Sequence, residues 1–210
     1  MMHPAGARGR TAVLADLAVF LLLFAGLWIA AIATLWEHWG GGPAWLTLKL
    51  ALWGALPALY ARAAFGPDWR RRIGLVRPTR QALVATAAAA AAVIAVELIR
   101  AEFTGLAAFA APLTLSAVLV PLLEELAFRG VVQERLRFAF GNAAVAVGVQ
   151  AVLFTLFHMP GWLLLDRAPT LPVAASVFAI GLVTGALRTW TGSLLPGAAL
   201  HLAGNLAAAA

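Results

Sequence analysis

The chain contains no cysteine, a single lysine and a single tyrosine, and only 11% of its 210 residues are charged. Without cysteine there are no disulfides and no thiolate metal sites. An average soluble domain carries about a quarter charged residues, so this chain cannot cover a water-facing surface. What it has instead is hydrocarbon. Hydrophobic residues make up 63% of the sequence, and mean hydropathy is +0.91. The fold class expected is all-α, a polytopic transmembrane helical bundle. Acidic residues are also scarce, 9 against 15 basic ones, giving a net charge of +6 and a pI near 11.4. This surplus does not point to nucleic acid. The arginines gather in short loops between apolar runs, the positive-inside pattern of a membrane protein. The expected surroundings are a lipid bilayer.

The N-terminus MMHPAGARGR is basic and precedes an apolar run from Thr11 to Trp36. A secretory h-region is about 7–15 residues long, so the run reads as a retained first transmembrane helix. Fourteen Arg against one Lys, with abundant Ala, point to a GC-rich bacterial genome and hence to a bacterial plasma membrane. Spans of ~20 apolar residues are expected at about 11–36, 44–65, 81–100, 107–127, 143–159, 170–190 and 193–208. Seven spans result, and an eighth or a re-entrant element stays open. Breaks are expected at Gly40–Pro43, in the polar loop 66–80, at Gly141-Asn142 and at Pro160-Gly161. Arg8 and Arg10 place the N-terminus in the cytoplasm. Alternation then brings the arginine-rich loop 66–80, Arg129, Arg135, Arg137 and Arg188 to the same side, and leaves Glu37, Arg100 with Glu102, and Asp166 with Arg167 outside.

Two parts are distinguished. Residues 1–105 hold N-terminal helices and the basic loop, with Asp16, Lys49 and Glu97 as their few buried polar groups. Residues 106–210 hold the chemistry, in three helical patterns: Glu124-Glu125-x-x-x-Arg129, Phe154-x-x-x-His158 and His201-x-x-x-Asn205. Counted from Glu125, Phe154 and His201, each closes four positions on, one helical turn along and on the same face. Ionisable groups at membrane depth are costly and are functional candidates by default. Glu125 and Arg129 form an i, i+4 pair with the acid N-terminal to the base, the better orientation. Glu124 lies ~100° around the helix and shares its face with Phe128. One carboxylate is tied to a cation and the other is left for chemistry such as general base catalysis. The bland alternatives are arginine pairing at a helix end for both glutamates, a snorkelling His158 beside Pro160, and an interhelical polar clasp of His201 and Asn205 worth about 0.6 kcal/mol.

In order and spacing, EELAFR, FTLFH and HLAGN resemble the CPBP intramembrane proteases, which include the CAAX prenyl endopeptidases and the bacterial Abi-type proteins. The segments FRGVVQERL and IGLVRP look like bacterial members of that family, and the resemblance covers about residues 70–208. It implies an intramembrane endopeptidase of the CAAX-processing or Abi type. Glu124 and His158 would activate a water for attack on a peptide carbonyl. His201 and Asn205 would donate hydrogen bonds to the developing oxyanion. Glu125, Arg129 and Phe154 would support the site. Family members are often labelled metalloproteases, and Glu124, His158 and His201 would make a His₂Glu zinc set. With no HExxH motif and His201 given to the oxyanion hole, metal-free catalysis is expected, zinc being the alternative. The expected partner is a peptide or membrane-protein substrate; whether it is prenylated, and the oligomeric state, lie beyond the sequence. The competing class is a non-catalytic membrane protein, either a binding or immunity protein or a proton-coupled carrier. Against a carrier, no inverted repeat with paired broken helices is visible.

Overall fold

The computed structural model describes residues 7–104 and 115–208, with side chains described for 9–92, 95 and 118–204. Among these the chain forms seven long helical elements and no strand. We number them α1 (Ala7–Trp39), α2 (43–65), α3 (Arg80–Thr104), α4 (115–140), α5 (Ala143–Leu164), α6 (Leu171–Thr191) and α7 (Leu195–Ala208). Four segments, Gly9–Trp39, Pro43–Arg72, Ala143–Leu164 and Leu171–Thr191, are long and apolar enough to cross a membrane. They coincide with four of the seven expected spans. The span expected at 107–127 lies partly outside the described residues. That at 193–208 is a 14-residue helix, about 21 Å long and short of a ~30 Å hydrocarbon core.

The helix ends follow local chemistry. Gly41 at φ 77° breaks the chain between α1 and α2, and Pro43 then opens α2 at the position where its missing N–H costs nothing. Gly141 caps α4 in the left-handed region at φ 66°, and the Asn142 side chain accepts from the Val145 N–H at 3.1 Å to start α5. The expected break at Pro160-Gly161 does not occur: α5 runs through Pro160 to Leu164. A proline inside a helix removes one backbone hydrogen bond, but here the ladder resumes beyond it. His158 therefore sits nearly two turns before the helix end rather than at it.

Two helices carry wide turns. Leu50–Ala55 in α2 and Leu126–Val132 in α4 are π-helical, a rare geometry that is frequent at functional sites. They touch each other through Trp53 and Phe128, whose ring centroids are 6.0 Å apart. Around this contact sits the core, with Phe24, Phe128 and Phe154 fully buried and Trp28, Trp45 and Phe157 beside them. The arginine-rich loop is packed rather than free. A Cβ on Gly130 would come within 3.1 Å of the Ile73 carbonyl, so glycine lets IGLVRP lie against FRGVV. Gly74, at φ 83°, accepts from the Leu194 N–H through its carbonyl. Asp16, expected to be a buried polar group of α1, is instead exposed, its side chain 51% accessible; it is the partner of Arg135 in α4 and accepts from the Tyr60 hydroxyl at 2.7 Å. The half-buried tyrosine and its ion pair thus pin α1, α2 and α4 together.

Candidate functional site

Glu124 and Glu125 end the α-helical part of α4, at the point where it widens into the π turn. Both are buried. Read at 3.6 residues per turn they face different ways, yet one imidazole receives both. Glu125 Oε1 lies 3.0 Å from His201 Nδ1, and Glu124 Oε2 lies 3.5 Å from His201 Nε2. The ring stands between them with one nitrogen toward each carboxylate. The same Glu125 Oε1 is 3.1 Å from Arg129 Nη1. Glu125 is therefore not committed to Arg129 alone, as the helix periodicity suggested, but also holds His201. A carboxylate oxygen shared by a guanidinium and an imidazole N–H is an ionised acceptor, which fixes the Nδ1–H tautomer of a neutral His201. Nε2 then faces Glu124 as a bare nitrogen, 3.5 Å from its Oε2.

Phe154 is the hub of this arrangement. Its ring receives the Arg129 guanidinium at 4.0 Å from the centroid. Edge contacts join it to Phe128 at 5.2 Å, His158 at 4.7 Å and His201 at 5.7 Å. A cation over an aromatic face is stabilised by the ring quadrupole, more so when dry. Arg129 is 1% exposed and its nitrogens find no hydrogen bond among the described residues beyond the ionic contact. The ring of Phe154 thus covers a charge that would otherwise be poorly compensated. Through its backbone the same residue orients His158, whose Nδ1 donates to the Phe154 carbonyl at 2.9 Å. In the neutral ring this leaves Nε2 unprotonated and available. The i, i+4 spacing of Phe154 and His158 has a physical reason: one residue supplies the carbonyl that sets the tautomer and the ring that carries Arg129.

Glu124 and His158 line one cavity of about 330 Å³. Its walls include Trp28, Trp53, Phe157 and Trp162, and two cations, Lys49 and Arg167. Sequence reasoning placed the chemistry in the second half and did not include the three α1 and α2 residues. The available signal was Lys49 itself, a lone lysine in an apolar run; it lies 5.4 Å from the Trp28 ring centroid. Trp53, 3% exposed, has an indole N–H without a partner among the described residues. Asn205 lies on α7 one turn after His201, and its side chain is outside those described.

Gly197 shows how tightly the network is enclosed. A Cβ there would stand 2.9 Å from Glu125 Oε2 and 3.2 Å from Thr184 Cβ. The carboxylate cannot swing aside without leaving Arg129 and His201. We expect Gly197→Ala to lower thermal stability in detergent by about 1–3 kcal/mol through overpacking, against a helix-propensity gain of about 1 kcal/mol. An unchanged or raised Tm would show that the Glu125 carboxylate has room to move.

Among the described residues no three His, Asp or Glu side chains form a group able to hold a metal ion. His201 turns a nitrogen to each glutamate, and His158 turns Nδ1 to a carbonyl. As placed, the donors do not fit a three-ligand zinc site, and no step is derived through a metal. What the arrangement offers is a carboxylate at a cavity wall, an imidazole with a bare nitrogen on the same cavity, and a second imidazole held by an ionised acid. The family model described as type II CAAX prenyl endopeptidase Rce1-like matches residues 104–207, about half of the chain. No curated protein and no solved structure matches the chain.

Proposed function

Because residues 104–207 belong to the type II CAAX prenyl endopeptidase (Rce1-like) family, a family of proteases, we propose that this membrane protein hydrolyses a peptide bond within the bilayer. The observation that carries the reading is the shared cavity of Glu124 and His158, with His201 directly behind Glu124. In this reading Glu124 is the general base that takes a proton from water, and His158 Nε2 is the second acceptor that orients it. His201, clamped by Glu125 at Nδ1, receives at Nε2 the proton that Glu124 takes from water and donates it where the carbonyl oxygen becomes negative. Asn205, one turn along α7, is the second donor to that oxygen. Glu125, Arg129 and Phe154 position these groups and do not touch substrate. A dry wall of aromatic rings strengthens every one of these interactions relative to water.

The catalytic type proposed is metal-free, supported by the engagement of both His201 nitrogens with carboxylates. The test is cleavage of a membrane-anchored reporter by the purified protein in proteoliposomes, for wild type and His158→Gln, with and without stringent chelation. Wild-type turnover should survive chelation, and His158→Gln should lower it by about 10²-fold or more. Stoichiometric zinc lost together with activity on His201→Ala would overturn the metal-free assignment. A folded His158→Gln protein at wild-type turnover would remove His158 from the mechanism.

A further inference from the structure

We infer that a second cavity, where α4 and α6 end, is a binding site for a singly charged phosphate group, such as the phosphodiester of an anionic lipid headgroup. The inference does not depend on the endopeptidase reading. The cavity holds about 210 Å³ and is lined by Arg129, Gln133, Glu134 and Arg137 of α4 and by Arg188 and Thr189 of α6. It shares no lining residue with the cavity of Glu124 and His158. Arg129, Gln133 and Arg137 follow one another at four-residue intervals, about one turn each, so one stripe of α4 carries two guanidinium groups with an amide between them.

The charges around this cavity do not cancel. Arg137 is held at two points by Glu134, its Nε and Nη2 lying 3.0 and 2.9 Å from the carboxylate oxygens. Arg129 is paired with Glu125. Arg188 has no carboxylate partner among the described residues; its Nη2 donates to the Arg72 carbonyl at 2.5 Å. Glycine at position 74 lets the same guanidinium lie close, since a Cβ there would stand 2.7 Å from Nε. One cation is thus in excess, and neutral groups hold it in place. Donors are left over as well. Arg129 Nε and Nη2 and Arg188 Nε are buried and find no acceptor among the described residues. Buried donors on a cation without acceptors are costly, and an anion at this position would relieve that cost.

The chemistry favours phosphate. A guanidinium presents a planar fork of donors that matches phosphate oxygens. A phosphodiester carries one negative charge, equal to the excess. The helix ends oppose it little, because the last-turn carbonyls of Arg137 and Arg188 accept from the N–H groups of Gly141 and Gly192 at 2.9 and 3.0 Å. Gln133 Nε2 donates to the Gly185 carbonyl at 3.0 Å and to the Thr189 hydroxyl at 2.9 Å, which leaves Oε1 without a donor among the described residues. An open acceptor suits a ligand with a hydroxyl beside its phosphate, as a glycerol headgroup has. The depth also fits. Arg137 and Arg188 stand in the last turns of their helices, and Arg188 is tied to the arginine loop through Arg72. Basic pockets between transmembrane helices near their ends take anionic headgroups.

The test is thermal unfolding of the purified full chain in a neutral detergent, with added phosphatidylglycerol, phosphatidylcholine or inorganic phosphate at constant ionic strength. Phosphatidylglycerol should raise the Tm by about 2–4 °C, as binding confined to the folded state does. Phosphatidylcholine, whose own ammonium cancels its charge, should not. The rise should vanish in Arg188→Gln. It should vanish too in Thr189→Glu, which sets a carboxylate at an exposed edge of the cavity and leaves the Arg72 contact in place. Arg188→Gln also removes that contact, so Thr189→Glu decides the matter if the first variant does not fold. A rise with inorganic phosphate alone, lost in the same variants, would keep the site and assign it to the free anion rather than to lipid. A rise that persists undiminished in Thr189→Glu, or no rise with either source of phosphate, overturns the inference.

Discussion

Glu124→Gln is expected to give a folded protein whose peptide hydrolysis is slower by about 10²–10⁴-fold, the usual loss of a positioned general base. The substitution keeps the volume of the side chain and its hydrogen-bonding reach toward His201 Nε2, now 3.5 Å from the carboxylate. It removes the oxygen that can take a proton. Glu125 keeps its contacts to Arg129 and His201, so α4 and α7 stay clamped and the Tm in detergent should move little. Thermal unfolding measured beside reporter cleavage separates the two effects. Near-wild-type turnover in folded Glu124→Gln would remove this residue from the chemistry and return Glu125, the other carboxylate on His201, as the candidate.

The largest effect on stability is expected from Arg129→Ala. The guanidinium is buried between Glu125 Oε1 at 3.1 Å and the Phe154 ring at 4.0 Å. Its removal leaves a buried carboxylate with His201 as its remaining polar partner and empties the space over Phe154. Breaking a buried pair in this way typically costs about 3–5 kcal/mol. Removing both charges, as in Glu125→Gln with Arg129→Met, should recover much of that loss, since paired charges repay little more than their desolvation. It should not recover activity, because His201 then lacks the ionised acceptor that fixes its tautomer. A double-mutant cycle read by unfolding and cleavage tests both halves of the expectation. An Arg129→Ala loss below about 1 kcal/mol would show the pair to be dispensable on the scale of ordinary exposed ion pairs.

What was legible in the sequence was local. Each motif pairs residues at i and i+4, and the structure holds two of those relations as direct contacts, Glu125 to Arg129 and His158 to the Phe154 carbonyl, while the Asn205 side chain lies outside the described residues. The all-helical architecture followed from composition, and the Gly141-Asn142 junction from cap chemistry. What was not legible depended on distant chain segments. The two glutamates read as facing apart, and nothing in EELAFR reveals that α7 sets a single imidazole where it meets both, or that α4 widens after Glu125. Pro160 read as a break because the local rule for proline is strict in water-soluble helices, whereas a helix in an apolar setting has more reason to continue. Lys49 and Trp53 line the cavity only because α2 packs against α4, a contact no spacing announces.

The wide turns at Leu50–Ala55 and Leu126–Val132 bear on what changes the chain tolerates. A π turn holds about one residue more than an α turn, and one residue is worth about 100° of rotation about the axis. Excising a single residue from 126–132 would let α4 relax to regular pitch, turning Arg129 and everything beyond it relative to the glutamates. Phe128 would leave Trp53, and Gly130 would leave Ile73. Substitutions on the lipid-facing side of this helix leave that phase untouched however polar or bulky they are. The site is thus keyed to the length of its helix as much as to its letters, and single-codon deletions in this stretch carry a penalty that conservative replacements there do not.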